Sequence, residues 1–303
     1  MKKSADYKFP NRIMRYMQRT GFYNDRNLFW SFYEPRNFGD WIGPYLFEAY
    51  TGQTPMHFAP QLGGWAKATF SAGSILRNSL IPNTATIWGS GIISAADTFP
   101  RPKNVLAVRG PRSKARLEEL NYPTTNTFGD PGILIPQIYN PQVAPKFRVG
   151  LIPHYVDYEA MHATYADLSG LRVIDVRRDL ESVIDQILSC EMTLSSSLHG
   201  IILSHSYGRP CLWIESWKGL IGDGVKFLDY YEGANVFGVT AKTLPRHASL
   251  SHLEAMVSDS VMTDLEALRT PLRRACPFGQ PNLVAKNEII RLKGLIPFMF
   301  QRT

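Results

Sequence analysis

The side chains best suited to chemistry in this sequence gather around three serines and a histidine. Residues 191–208 read "EMTLSSSLHGIILSHSYG", a strand-like run that gives way at Ser195–Ser197 to a helix closed by Gly208, with a second strand, "PCLWIE", at 210–215. This arrangement puts His199 in the first helical turn at the carboxyl edge of a parallel sheet, where ligands of α/β proteins sit. Unpaired backbone N–H groups and the helix dipole favour an anion there. The hydroxyls of Ser196 and Ser197 add donors, and His199 is placed to donate to a phosphate oxygen or to deliver a proton. The structural alternative is a serine cap with His199 packed against a neighbouring strand.

Other candidates fall at similar junctions. "VRGP" (108–111) ends a strand with Arg109, whose guanidinium matches carboxylate and phosphate geometry; a surface salt bridge is the plainer fate. "PRNFGD" (35–40) offers Asn37, Gly39 and Asp40, so that Asp40 either caps the next helix or binds or deprotonates a sugar hydroxyl. In "GSGIIS" (89–94), Ser90 sits in a glycine turn beneath a ligand. That stretch falls one glycine short of a dinucleotide fingerprint, and Pro100 soon stops the helix that would follow. His154 follows a strand in "IPHYVDY" (152–158). No metal-ligand spacing, P-loop or nucleophile elbow occurs.

The elements that position these groups alternate between short apolar or β-branched runs and helical segments, which reads as α/β. Strands are expected in 27–33, 67–76, 84–92, 104–111, 148–154 and 172–176, and helices over 40–52, 112–121 and 179–190. The proline-rich stretch 129–147 reads as a crossing between two lobes, 1–145 and 146–303, with the last segment, 286–303, returning to the first.

Composition narrows the classes. The 303 residues carry a net charge of +7, and 44% are apolar, enough for a sizeable core. Scattered basic residues without an aromatic-basic motif argue against nucleic acid and leave anionic substrates or an acidic membrane surface. Three cysteines, Cys190, Cys211 and Cys276, fit a reduced, cytoplasmic compartment. The N-terminus lacks the apolar core of a signal peptide, and no run is long enough to span a bilayer. The tail "KNEIIRLKGLIPFMF" (286–300) reads either as a packed helix or as a peripheral contact with the inner membrane face.

Taken together, "NFGDWIGPYL", "AGSIL", "IWGSGI", "AVRGPRS", "FGDPGIL", "GLIPHYVDY", "SSSLHGIILSHSYGRPCLWI" and "GDGVKFLDYYEG" resemble, in order over roughly residues 30–235, the polysaccharide pyruvyl transferase family. The resemblance implies two Rossmann-like lobes facing a cleft, similar to B-type glycosyltransferases. It also implies transfer of pyruvate from phosphoenolpyruvate to a sugar as a ketal, with no cofactor beyond that donor and no metal. The acceptor is a saccharide, lipid-linked in one version. Arg109 and His199 are the positions that serve the donor. Ser197 stands where some members carry arginine, so either Lys226 or helix N–H groups replace that cation, or donor affinity is weaker. Asp40 and Asp130 both remain open as the base. A nucleotide-sugar glycosyltransferase and a non-catalytic saccharide-binding protein are the rival readings.

Overall fold

A computed structural model describes residues 10–31, 36–58, 65–77 and 82–279 of the chain. Its strands form two sheets, both wholly parallel. The first comprises β1 (Asn27–Phe29), β2 (Met56–His57), β3 (Thr69–Phe70), β4 (Thr86–Trp88) and β5 (Asn104–Ala107) in the order β2-β1-β3-β4-β5. The second comprises β6 (Phe147–Ile152), β7 (Leu171–Val173), β8 (Cys190–Ser195) and β9 (Cys211–Trp213) in the order β7-β6-β8-β9. Parallel strands covered on both faces read as continuous apolar runs, and the buried Val149, Leu151, Ile152 and Leu194 show it. The α/β class expected from the sequence is the one observed.

The strands are shorter than the apolar runs that announce them. The run over 84–92 gives only the three residues of β4, because the chain turns away at Gly89, whose N–H donates to the Ala107 carbonyl at 2.8 Å. Helix α1 (Arg12–Arg19) precedes β1. A 3-10 turn, Phe38–Trp41, leads into α2 (Ile42–Thr51), which Gly52 closes at φ 69°. Asn37 caps that turn, its Oδ1 accepting the Gly39 N–H at 3.1 Å, so the capping role expected of Asp40 belongs to Asn37. Helix α3 (Pro111–Glu119) follows β5.

The stretch 129–147 is more than a crossing. It contains a 3-10 helix, Pro131–Gln137, whose Ile133, Leu134 and Ile135 are wholly buried. That helix wedges into the largest apolar cluster, which also takes in Trp88, Ile184, Ile201 and Tyr231. Its proline content kept the apolar triplet from declaring itself, since proline breaks helical periodicity.

In the second half, α4 (Tyr158–Tyr165), α5 (Leu180–Leu188) and α6 (Leu198–Ser206) alternate with the strands, and every residue of α6 is buried. Helices α7 (Val225–Gly233), α8 (Leu250–Ser258) and α9 (Glu266–Arg274) follow β9. Two of these reach back toward the first sheet. On α7, Glu232 pairs with Arg112 at 2.7 Å, and on α9 the Leu272 carbonyl accepts from the Trp88 indole at 3.0 Å. The expected return of segment 286–303 lies outside the described residues. Among the described residues no helix is long and apolar enough to cross a membrane.

Candidate active site

Loops at the carboxyl ends of strands from both sheets enclose a cavity of about 220 Å³. Ser31 follows β1, Gly73, Ser74, Ile75 and Arg77 follow β3, His154–Val156 follow β6, Ser197–His199 follow β8 and Gly219–Ile221 follow β9. Asn37, Asp40, Ile93 and Lys226 complete the wall. Parallel strands end with their carbonyls and following loops on one edge, so the topology itself brings these distant segments together.

The three serines divide the work of the β8–α6 turn. Ser195 Oγ accepts the Ser197 N–H at 3.0 Å and donates to the Ile152 carbonyl at 3.0 Å, tying β8 to the end of β6. Ser196 Oγ accepts the His154 N–H at 2.9 Å and is wholly buried. Only Ser197 reaches the cavity, and its side chain caps nothing. Gly200 completes the motif for a steric reason, since a Cβ there would collide with Ser195 Oγ and Ile152.

His199 is fixed from two sides. Its Nε2 stands 3.5 Å from Asp130 Oδ2, and among the described residues neither atom has another hydrogen-bond partner. Its Nδ1 edge lies against Gly39, where a Cβ would occupy the ring's own space. Phe38 meets the ring edge-on at 6.4 Å between centroids. Asp130 is fully buried, and its Oδ1 accepts the Gly132 N–H at 2.9 Å. Burial alone would raise the Asp130 carboxyl; the charge of His199, the Gly132 amide and Arg109 outweigh it and hold it below its ordinary range.

The cavity wall carries both signs of charge. Burial pushes the Asp40 carboxyl up to about 7, against the pull of His199. Burial, then the like charges of Arg109 and Arg77, bring the Lys226 ammonium down to about 8. His154 is lowered to about 4 by burial and by Lys226, so at neutral pH its ring is uncharged. Among the described residues Lys226 forms no ion pair, which leaves its charge available to a ligand. Nor is any group of three or more His, Cys, Asp and Glu side chains there placed to hold a metal ion.

Several expected site residues stand elsewhere. Arg109 does not face the cavity: it is fully buried, with Nε 3.0 Å from Asp229 Oδ2 and Nη2 2.5 Å from the Ile92 carbonyl. An unpaired guanidinium at that depth would be too costly, and Asp229 neutralises it. Its Nη1 donates to Ser74 Oγ at 2.7 Å, and Ser74 lines the cavity, so Arg109 acts one layer behind the wall. The glycine turn beneath a ligand instead accommodates this arginine, because a Cβ on Gly91 would strike the guanidinium. Ser90 is buried and donates to the Ser71 carbonyl. Gly39 and Ser196 support His199 and His154 without lining the cavity.

Sequence reasoning overlooked Arg77, Ser74 and Tyr155 on the wall, and Asp229 behind it. Arg77 follows "AGSIL" directly, and its position just past a strand end was the available signal. Asp229 gave none, being 120 residues from its partner.

Residues 80–218 match the sequence profile of a family described as polysaccharide pyruvyl transferase. The match is narrower than the 30–235 read from the motifs. It contains His154, Ser197 and His199, while Asp40, Arg77 and Lys226 lie outside it. It points to a transferase. A curated relative, an uncharacterized protein of Acanthamoeba polyphaga mimivirus, is 33% identical over 187 residues, or 59% of this chain. The chain spans 63% of that relative's length. A crystal structure of an uncharacterized protein from Klebsiella pneumoniae superposes on 78% of this chain and 100% of its own, with 13% identity and a TM-score of 0.44.

Proposed function

We propose that this chain transfers a pyruvyl group from phosphoenolpyruvate to two hydroxyls of a saccharide, forming a ketal and releasing phosphate. The observation that carries the reading is His199, braced by buried Asp130 on the wall of a cavity that also holds Asp40 and Lys226, which forms no ion pair among the described residues. The family match supports the reaction class. The two parallel sheets, one ending at Ala107 and the other beginning at Phe147, support two Rossmann-like lobes arranged as in B-type glycosyltransferases, divided near 145/146.

The chemistry distributes as follows. Lys226, Arg77 and the N-terminus of α6 hold the donor's phosphate and carboxylate, so the cation missing at Ser197 is supplied from α7 and from the loop after β3. His199 gives a proton to C3 of the enol, and C2 gains positive character. Asp40 takes the proton of the first sugar hydroxyl as its oxygen bonds to C2. The C2–O bond to phosphate then breaks, phosphate leaving with the proton held by Asp40, and the second hydroxyl closes the ketal as its proton passes to the now neutral His199. Asp130 orients the imidazole and balances its charge without touching substrate. That assignment separates the two carboxylates: Asp40 is on the wall, Asp130 is behind it.

The deciding measurement is phosphate release from phosphoenolpyruvate with candidate saccharide repeat units, coupled to the mass of the product. Acceptor-dependent release with a pyruvylated product is expected. Turnover of a nucleotide sugar without release from phosphoenolpyruvate would overturn the proposal.

A further inference from the structure

The edge of the first sheet opposite the cavity carries an exposed patch that the proposed reaction does not use. Helix α1 ends before β1, and Trp65 precedes β3, so both lie at the amino ends of parallel strands whose carboxyl ends face the cavity. Helix α1 buries Gln18, and at 100° per residue the opposite face presents Ile13 and Tyr16, with Arg12 and Arg19 along one flank. Ile13 is 71% exposed and Tyr16 70%. Phe22, 67% exposed, lies in the turn after the helix. Trp65, 80% exposed, is tied to the helix end by its N–H, which donates to the Arg19 carbonyl at 3.1 Å.

Four large apolar side chains in water at one place are unusual for a protein surface that meets nothing. Their neighbours are mainly basic, with Asp25 an exposed acid in the same turn as Phe22. Arg12, Arg15 and Arg19 are exposed, and none is ion-paired among the described residues. In sequence, residues 1–22 hold six lysines and arginines against one aspartate. Aromatic side chains flanked by arginines suit a phospholipid interface, where the rings enter the headgroup region and the cations meet anionic lipid.

We infer that α1 and Trp65 form a docking surface for an anionic phospholipid membrane. Charge complementarity selects the lipid, and Trp65 with Tyr16, Phe22 and Ile13 supplies the insertion. Because this surface is opposite the cavity, a docked molecule keeps its cavity open to water, and an acceptor is met from the aqueous side.

The test is co-sedimentation of the full chain with phosphatidylcholine vesicles with or without phosphatidylglycerol, at low and high salt. Salt-sensitive binding to the anionic vesicles alone is expected. Arg12→Ala/Arg15→Ala/Arg19→Ala should lower partitioning by about two orders of magnitude. Of six tryptophans, Trp65 is the one standing out in solvent. Brominated acyl chains should therefore quench the fluorescence of the parent but not of Trp65→Phe. An unchanged melting temperature in the exposed-residue variants keeps the comparison valid. Absence of binding, equal binding by the triple arginine variant, or quenching that survives in Trp65→Phe would overturn the inference. So would a parent dimer made monomeric by these substitutions, since the patch would then join two copies of the chain.

Discussion

If phosphoenolpyruvate is the donor, Lys226 should make its binding depend on pH in a window where the donor itself does not titrate. Its ammonium is lowered from its ordinary value to about 8, by burial and by Arg109 and Arg77. Below that pH it is charged and is expected to attract the donor; above it the charge is lost. Phosphate monoesters complete their second ionisation near pH 6, so above pH 7.5 only the protein changes. If the donor binds the charged form, its dissociation constant scales as 1 + 10^(pH − 8). Between pH 7.5 and 9.5 that factor grows about 25-fold. Calorimetric titration with phosphoenolpyruvate at constant ionic strength reads it directly. Lys226→Arg keeps a cation at every pH in the range, so its affinity should be flat there. A parent whose affinity varies by less than threefold across the window, or a Lys226→Arg variant that retains the full loss, would refute Lys226 as the donor's cation.

Four further outcomes follow from the same geometry. The acid limb of kcat/KM should rise tenfold per pH unit up to about 7, as Asp40 ionises, and be absent from the residual activity of Asp40→Asn. Gly39→Ala places a methyl group where the His199 ring now lies; about 1–3 kcal/mol of stability should be lost to overpacking, with a roughly hundredfold fall in turnover, and unchanged turnover would show that the ring position is immaterial. Asp130→Asn should retain donor affinity and lower turnover about 10²–10⁴-fold. Because Asp130 sits below its ordinary value in the folded state, it stabilises the parent above the unfolded value near 4. That contribution fades as pH falls through the folded value, and acid unfolding of Asp130→Asn should lack it. Arg109→Ala strands buried Asp229 and should cost about 3–5 kcal/mol in denaturant unfolding, much of which Arg109→Met/Asp229→Leu recovers; a single variant as stable as the parent would contradict the buried pair.

What the sequence disclosed and what it hid divide along physical lines. Apolar runs ending in small or polar residues disclosed parallel strands and their functional edge, because burial on both faces imposes that pattern. His199 was legible for the same reason: a strand, a serine cluster and a helix start fix where the residue must stand. Asp40 was legible by type but not by role, since a carboxylate before a helix looks like a cap until Asn37 is seen to hold the turn. Arg109 misled because an arginine at a strand end looks identical whether it meets a ligand or a buried partner. Its partner, Asp229, is on a helix in the other half of the chain. The fit between Gly39 and His199 was equally hidden, because 160 residues separate a missing Cβ from the ring that fills its place.

The charge states proposed for catalysis are those that cost the free protein stability. Asp40 is raised to about 7, so the folded chain binds its proton more tightly than the unfolded chain, and stability falls as pH rises from about 4 to 7. Lys226 is lowered to about 8, so the folded chain binds its proton less tightly, and stability rises only as pH climbs from about 8 toward 10.5. Between 7 and 8 both penalties stand together, each on the order of a few kcal/mol. A fold selected for stability alone would place neither group there unpaired, or would pair them with each other. Arg109 shows that this chain does neutralise a buried cation, with Asp229, where the cation is not exposed to the cavity. Lys226, without an ion pair among the described residues, and the strained ionisation of Asp40 therefore coincide with the cavity, where a bound dianion would restore the proton affinity of one and a sugar hydroxyl would supply the proton of the other.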